Sequence, residues 1–375
     1  MSNWRFYTLV FMLLVSGLAA PASLDAKKPK KAAKEYIYPG PEGWTWASPS
    51  KYGYDSLKLE KARDYLINKT NATGVVVCVG GEMIFKYGDI TSNSYIASCR
   101  KSVLAMLYGK YVENGTVDLN RTIGELGITD VVEKGYEQYP DGLMPIEKKA
   151  TIDDIITARS GVYHEASNEG SSAGKIERGT MRPGTKFLYN NWDFNVGGTI
   201  LEQLTGRNIY DILEEDLALP IEMEDWDRSI QKKAGNTKLS IHKAYHFRFS
   251  TRDMARIAYL MLREGKWKDK QVISKQWCKK ITSPVSSYKE VAGNNKKGRY
   301  SYGYMWWLFD AESPLNDWDY VDGYTALGYM GQYIMVFPHR DMVVAIKTDA
   351  RYGRRMGTGS PGVNFVDLVF KARNK

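Results

Sequence analysis

Strand-forming patterns are concentrated at the two ends of this chain of 375 residues. Residues 74–79 read GVVVCV, a continuous apolar, β-branched run typical of a buried strand, and Gly80-Gly81 predicts a tight turn into a second strand over residues 82–87. An isolated hairpin is only marginally stable, so these strands need further partners. Further strand patterns occur near the other end of the chain, at residues 302–308, 333–337 and 342–347. We therefore expect one antiparallel sheet assembled from both chain ends.

Helical patterns dominate between these ends, over residues ~95–290. One more helix is expected to begin at Asp55, and another closes the chain over residues 363–371. The fold class predicted is α+β, with an α/β sandwich lobe and a helical lobe inserted into it. Ligand sites tend to form in the crevice between such lobes.

The first 22 residues have the pattern of a secretory signal peptide. Arg5 precedes an apolar stretch over residues 7–18, and Ala20-Pro21-Ala22 follows as a small-residue cleavage signal. An uncleaved anchor is the alternative. We expect a basic tail and linker over residues 23–43, a catalytic domain over residues 44–375, and export to the periplasm or medium of a bacterium. No later segment is apolar enough to span a membrane.

Composition excludes several classes of function. The formal net charge of +9 includes Arg5 and five lysines between residues 27 and 34, so the rest of the chain is only mildly basic. No basic stripe or finger spacing supports nucleic-acid binding. Three cysteines, an odd number, argue against a disulfide framework. His242 and His246 have the spacing of two zinc ligands on one helix face but lack a third ligand, so we predict neither a metal nor a cofactor.

One Ser-x-x-Lys motif has the context of a nucleophile. The pattern occurs six times, at Ser48, Ser98, Ser172, Ser229, Ser240 and Ser286, so the motif alone is weak evidence for a nucleophile. Ser98 alone opens a strongly periodic helix, which places Lys101 on the same face three residues later. A buried, neutral lysine amine can remove the hydroxyl proton, and the helix N-terminus favours the resulting anion. The alternative is an N-capping serine beside a solvated lysine.

Two further motifs fit the same chemistry. Tyr189-Asn190-Asn191 is the only Tyr-x-Asn among 26 tyrosines. Tyr189 could relay a proton between Ser98 and a leaving group, and Asn191 could contact a substrate amide. Residues 328–332 (GYMGQ) precede a strand, where a glycine permits close approach of a ligand. We expect the N–H groups of Gln332 and Ser98 to form an oxyanion hole, flanked by Gly331 and Tyr329.

In this order, the motifs resemble the superfamily of class C β-lactamases, DD-peptidases and esterases. Residues 114–119 (NGTVDL), 151–161 (TIDDIITARSG) and 182–184 (RPG) also look like segments of that family, and the resemblance covers residues 44–375. It implies a two-lobed β-lactamase/transpeptidase-like fold. It also implies an acyl-enzyme mechanism with Ser98 as the nucleophile, Lys101 and Tyr189 as the shared base and acid, and Asn191 as a substrate contact.

The chain departs from the penicillin-recognising members at the third motif. Their Lys-Thr-Gly provides a cation for the substrate carboxylate, whereas Tyr329-Met330-Gly331 stands here. Arg351, Arg354 or Arg355 could replace that cation, and Trp306 and Trp307 could make the pocket apolar. This pattern is closer to esterases and to the 6-aminohexanoate-dimer-hydrolase-like branch.

We therefore predict hydrolysis of a small amide, ester or peptide substrate; the oligomeric state stays open. Three alternatives remain: a β-lactamase or DD-carboxypeptidase, a non-catalytic binding module on the same fold, and a Ser-His-Asp hydrolase that uses Ser160 and His164.

Overall fold

The structure is a computed structural model, and it describes Met1 and residues 35–374 apart from 41, 169–175, 294–297 and 353–359. Residues 36–375 form one compact unit, to which residues 1–35 do not belong. The predicted signal peptide lies outside the described residues except for Met1, and so does most of the predicted basic tail.

The described residues contain nine α-helices, of which α3, α5 and α8 have only five residues each. Their bounds are α1 Ser56–Lys69, α2 Cys99–Glu113, α3 Ile152–Ile156, α4 Asn191–Thr205, α5 Ile209–Leu213, α6 Thr251–Leu262, α7 Lys275–Ile281, α8 Tyr288–Ala292 and α9 Ser360–Lys371. The long helix α2 is the one predicted to begin beside Ser98, and twelve of its fifteen residues are buried. A helix buried on nearly every side forms part of the core.

The strands form one large antiparallel sheet and three small two-stranded pairs. Their bounds are β1 Gly74–Val79, β2 Glu82–Gly88, β3 Ser94–Tyr95, β4 Lys232–Ala234, β5 Ala244–His246, β6 Arg248–Phe249, β7 Lys266–Trp267, β8 Lys270–Gln271, β9 Tyr300–Tyr302, β10 Trp307–Phe309, β11 Tyr324–Gly328, β12 Gln332–Phe337 and β13 Met342–Lys347. The large sheet has the order β2-β1-β13-β12-β11-β10-β9. The expected α+β fold, with its antiparallel sheet drawn from both chain ends, is confirmed.

The sheet is covered on both faces, which explains the continuous apolar run in β1. Val75 and Val77 belong to a cluster that includes side chains of α1 and α9. The alternate residues Val76 and Cys78 belong to the larger cluster that includes α2 and α6. Because successive side chains of a strand point to opposite faces, a strand buried on both faces has no polar alternation.

Three details differ from the sequence predictions. Residues 302–308 are not one strand: the chain reverses at residues 303–306, where Met305 has a left-handed φ of 60° and Trp307 pairs with Tyr302. The strand β11 was not predicted, because its pairing with β10 and β12 is a tertiary property. The packed domain also begins before residue 44, since the Tyr259 hydroxyl on α6 donates to the Ile37 carbonyl.

Several properties of the described part of the chain bear on function. None of its helices is long and apolar enough to cross a membrane. Within the same residues, no group of three or more His, Cys, Asp or Glu side chains is arranged to hold a metal ion. His242 and His246 do not share a helix, because His246 ends strand β5 and His242 lies in the turn before it. All three cysteines are buried and unpaired.

Candidate active site

Ser98 stands at the start of α2, but it does not cap the helix. Its side chain makes no capping hydrogen bond, and it is partly exposed. The residue before it, Ala97, has a left-handed φ of 50°, which is uncommon for a residue with a Cβ. The Ser98 hydroxyl is instead hydrogen-bonded to the Tyr189 phenol. The N-cap alternative is therefore wrong for this serine.

Lys101 is buried and held by two polar partners. Its Nζ donates to the Tyr189 hydroxyl at 2.7 Å and to Asn191 Oδ1 at 2.6 Å. The amine also lies 4.2 Å from the centre of the Tyr189 ring and 4.4 Å from that of Phe194. Burial, and then the nearby Arg100 cation, hold the pKa of Lys101 well below its usual range. A lysine in this setting loses its proton more readily than an exposed one, and the neutral amine can act as a base.

Tyr189 joins the serine to the lysine, and it stays a phenol. Burial raises its pKa above the ordinary value, although the Ser98 hydrogen bond and the Arg100 charge act in the opposite direction. The ring packs against Phe194 at 4.8 Å and Trp307 at 5.5 Å between ring centres. A phenol can pass its own proton on while accepting another, so this position suits a relay better than a permanent base.

The adjacent asparagines have different roles in positioning the site. The Asn190 side chain caps α4 by accepting from Trp192 N–H, and its Nδ2 donates to the Val162 carbonyl at 3.0 Å. Asn191 is the first residue of α4 and is therefore turned to Lys101. The spacing of the Tyr-x-Asn motif thus follows from a capped helix start.

The glycine motif forms the β11–β12 hairpin. Gly328 pairs with Gln332, Tyr329 is exposed, and Gly331 has a left-handed φ of 85°. A Cβ on Gly328 would lie 2.6 Å from the Ile96 carbonyl oxygen, so the hairpin approaches the segment just before α2 closely. Close approach therefore depends on Gly328, whereas Gly331 serves the turn.

Gln332 contacts the start of α2 with its backbone and not with its side chain. The Cys99 thiol donates to the Gln332 carbonyl at 3.5 Å. The Gln332 side chain points elsewhere, because its Nε2 donates to the Thr348 carbonyl at 2.6 Å. This places the hairpin backbone beside Ser98, where a second oxyanion donor is needed.

Arg100 is a buried cation beside the site that was not predicted from the sequence. Its side chain is 1% exposed, its Nη2 donates to Asn195 Oδ1 at 2.9 Å, and the guanidinium lies 4.3 Å from the centre of the Tyr245 ring. Its Nη1 has no hydrogen-bond partner, and no carboxylate pairs with it, within the part of the chain described. The only sequence signal is an arginine directly before the motif lysine.

Ser160 and His164 are not brought together. Ser160 Oγ donates to the buried Asp193 carboxyl at 2.7 Å, and burial raises the pKa of Asp193 well above its usual range. The two ring nitrogens of His164 lie against the backbone carbonyls of Glu165 and Val131, at 2.9 and 2.8 Å. The Ser160–His164 hydrolase alternative is therefore wrong.

The other Ser-x-x-Lys serines are occupied elsewhere. Ser48 Oγ pairs with a neighbouring serine, Ser229 Oγ donates to an aspartate two residues earlier, Ser240 donates to buried Asp130, and Ser286 accepts from Arg159. Ser172 lies outside the described residues, as do Arg354 and Arg355 of the proposed cation set. Arg351 is described and is bound to Asp349. Trp306 is buried in the core, so only Trp307 reaches the tyrosine of the site.

The comparisons with known proteins concern the family and the fold. The model of the family described as Beta-lactamase matches residues 67–361. No match was found among curated proteins. A solved structure from Bacillus anthracis, assigned as a 6-aminohexanoate-dimer hydrolase, has a TM-score of 0.62 at 17% identity and covers 90% of this chain and 89% of its own.

Two further solved structures show the same fold. A family VIII carboxylesterase has a TM-score of 0.58 at 14% identity, with 84% of this chain and 97% of the esterase covered. A penicillin-binding protein homologue from Caulobacter crescentus has a TM-score of 0.58 at 12% identity, with coverages of 88% and 99%. Since the family model spans well over half of the sequence and the fold agrees, this chain belongs to the β-lactamase family.

Proposed function

We propose that this chain is a serine hydrolase that cleaves an amide or ester bond through an acyl-enzyme on Ser98. The observation that carries the proposal is the buried Lys101 amine, in contact with both Tyr189 and Asn191 while Tyr189 is hydrogen-bonded to Ser98. Family membership and the names of the structural neighbours, which include an amide hydrolase and an esterase, support the same reaction class.

Acylation would begin with loss of the Ser98 proton. Tyr189 accepts that proton and passes its own to the neutral Lys101 amine, as Ser98 Oγ bonds to the substrate carbonyl carbon. The carbonyl oxygen becomes an anion, for which the Ser98 N–H at the α2 terminus and a backbone N–H of the β11–β12 hairpin, at Gln332, are the proposed donors.

Collapse of this intermediate breaks the bond to the leaving group. The proton on Lys101 returns through Tyr189 to the departing nitrogen or oxygen, which leaves the acyl group on Ser98. Water then repeats the sequence: it loses a proton by the same route, attacks the acyl carbon, and releases the acid while Ser98 regains its proton. Asn191 is proposed to orient the substrate, with Gly331 and Tyr329 at the edge of the site.

Covalent labelling tests the nucleophile. Wild-type protein incubated with a fluorophosphonate should gain one adduct, located by peptide mass spectrometry on Ser98. Ser98→Ala should gain none, while Ser160→Ala, a matched change at the other candidate serine, should still be labelled. Labelling of Ser98→Ala to the wild-type extent would refute the assignment.

We also propose that the chain is exported, on the sequence of residues 1–22. Expression in a bacterium, followed by N-terminal sequencing of the protein from the periplasm or medium, should give a mature chain beginning at Ser23. Recovery of an intact N-terminus in the cytoplasm would contradict this proposal.

A further inference from the structure

A cavity of about 480 Å³ opens beside the candidate site. Tyr95, three residues before Ser98, lines one wall, and Met330 of the β11–β12 hairpin lines another. That hairpin also contacts the start of α2, where the Cys99 thiol donates to the Gln332 carbonyl, so the cavity lies next to both elements that bound the Ser98 site. A substrate group that extends past the reacting carbonyl on this side would enter it.

The charge of the cavity wall is strongly unbalanced. Lys232, Arg248 and Arg351 line it, and Asp349 is the one acidic residue among the described residues of its wall. Arg351 neutralises Asp349, with Nε at 2.8 Å and Nη2 at 2.5 Å from one carboxylate oxygen. The remaining two cations have no acidic partner among the described residues, so the cavity carries an excess of positive charge.

The two unpaired cations are placed by neighbouring short strands. Lys232 pairs in register with His246 at the end of β5, and Arg248 pairs with Tyr95 on β3. The Arg248 guanidinium is held by the Ile230 carbonyl, to which Nη1 donates at 3.1 Å, and among the described residues its other nitrogens make no further hydrogen bond. A guanidinium group, which can donate two parallel hydrogen bonds, next to a lysine ammonium is well suited to bind a carboxylate.

We infer that this cavity binds a carboxylate carried by the substrate, so that the enzyme acts on amides or esters of anionic compounds. The inference rests on the proposed function, because it assigns a substrate class to the Ser98 site. Lys232 supplies a mobile positive charge and Arg248 a fixed one. Neither lies in the third-motif hairpin, where Tyr329 and Met330 provide no charge.

His246 offers a reporter that does not depend on catalysis. Its ring stacks on Tyr95 at 4.3 Å between ring centres. Burial, followed by the charges of Arg100, Arg248 and Lys232, lowers the pKa of His246 to about 4. An anion bound between Lys232 and Arg248 would offset part of that positive field and raise the pKa again.

Matched ester pairs test the inference. Mono-p-nitrophenyl glutarate carries a carboxylate on the acyl side, and p-nitrophenyl butanoate is its neutral counterpart. The pair 4-acetoxybenzoate and phenyl acetate places the charge on the leaving group. One of the two pairs should show a preference for the anion of about tenfold in kcat/KM, as expected for one charge-assisted contact. That pair also identifies the side of the substrate that enters the cavity.

Substitutions locate the preference. Lys232→Gln and Arg248→Gln should each reduce the anion-to-neutral ratio about fivefold or more, while Arg248→Lys should keep most of it. Lys243→Gln, which removes an exposed charge outside the cavity, should keep the wild-type ratio. In Ser98→Ala protein, which performs no chemistry, added glutarate should move the His246 titration to higher pH in NMR spectra.

The outcomes separate the two proposals. If the wild type hydrolyses the neutral esters through Ser98 but prefers neither anion, or if the ratios do not respond to Lys232 and Arg248, the inference about the cavity is overturned and the hydrolase proposal stands. If no ester is hydrolysed and Ser98 is not labelled, the proposed function itself fails. A His246 titration unchanged at saturating glutarate also overturns the inference.

Discussion

Replacement of Arg100 by glutamine tests the electrostatic account of the base. Arg100 is buried next to Lys101, and its charge contributes to the lowered pKa of that lysine. A unit charge within about 10 Å, at an effective dielectric constant of about 20, changes the energy of a second charge by about 1.5 kcal/mol or more. This corresponds to a change of about tenfold or more in the fraction of Lys101 that is neutral below its midpoint. Arg100→Gln should therefore raise the pKa of Lys101.

The sign of the effect on activity follows from the mechanism. Only the neutral amine can accept the Ser98 proton, so kcat/KM should rise with pH as Lys101 loses its proton. A higher pKa moves this rise to higher pH. Below the midpoint, Arg100→Gln should be slower than the wild type by about tenfold or more, whereas the two rates should converge on the alkaline plateau.

The assay is the pH profile of kcat/KM on a p-nitrophenyl ester, with Ser98→Ala as the blank for spontaneous hydrolysis. Arg100→Lys keeps a positive charge and should keep the wild-type midpoint. Arg63→Gln removes a partly exposed arginine on α1, far in sequence from the site, and should not move it either. Because Arg100 is a buried cation with no carboxylate partner in the part of the chain that the structure describes, we expect Arg100→Gln to retain or gain thermal stability. A folded, active Arg100→Gln enzyme with an unshifted midpoint would refute the reasoning.

Four other predictions follow from particular contacts. Tyr189→Phe removes the relay hydroxyl and should lower kcat by about 10²-fold or more without loss of the fold, as measured by steady-state kinetics and circular dichroism; near-normal kcat would exclude a relay role. Gly328→Ala places a Cβ 2.6 Å from a backbone carbonyl oxygen just before α2, so we expect a lower melting temperature and loss of fluorophosphonate labelling. An unchanged rate of labelling would count against the close approach of the hairpin to α2. Arg178→Met leaves the carboxylate of Glu147, which is 1% exposed, without its arginine partner at 2.6 Å. The free energy of unfolding, measured with urea, should fall by about 3–5 kcal/mol. A fall below about 1 kcal/mol would contradict this account. His246 has a pKa of about 4 in the folded protein, below its unfolded value, so its contribution to stability is complete at pH 7 and is lost as the pH falls from about 6.5 to 4. His246→Phe should reduce the acid destabilisation over that range by about 2 kcal/mol. Parallel plots of unfolding free energy against pH for the wild type and the variant would argue against this prediction.

Local patterns were sufficient for the elements that stabilise themselves through neighbouring residues. The β1–β2 hairpin and helix α2 were predicted correctly because a two-residue glycine turn and a helical period act within a few residues. Strand β11 and the chain reversal at Met305 were not, because their hydrogen-bond partners are distant in sequence or depend on an unusual backbone angle. Such pairings are decided by which surfaces meet.

The sequence by itself determined that Ser98 and Lys101 lie on one helical face, since three residues of helix leave little choice of relative position. Only the tertiary structure decided what these residues can do. It brings Tyr189, 88 residues away in sequence, to the lysine, and it buries the amine beside the Arg100 cation. It also gathers Lys232 and Arg248 at a cavity next to the site. Ionisation depends on the solvent and charge around a group, and these are set by contacts between distant parts of the chain.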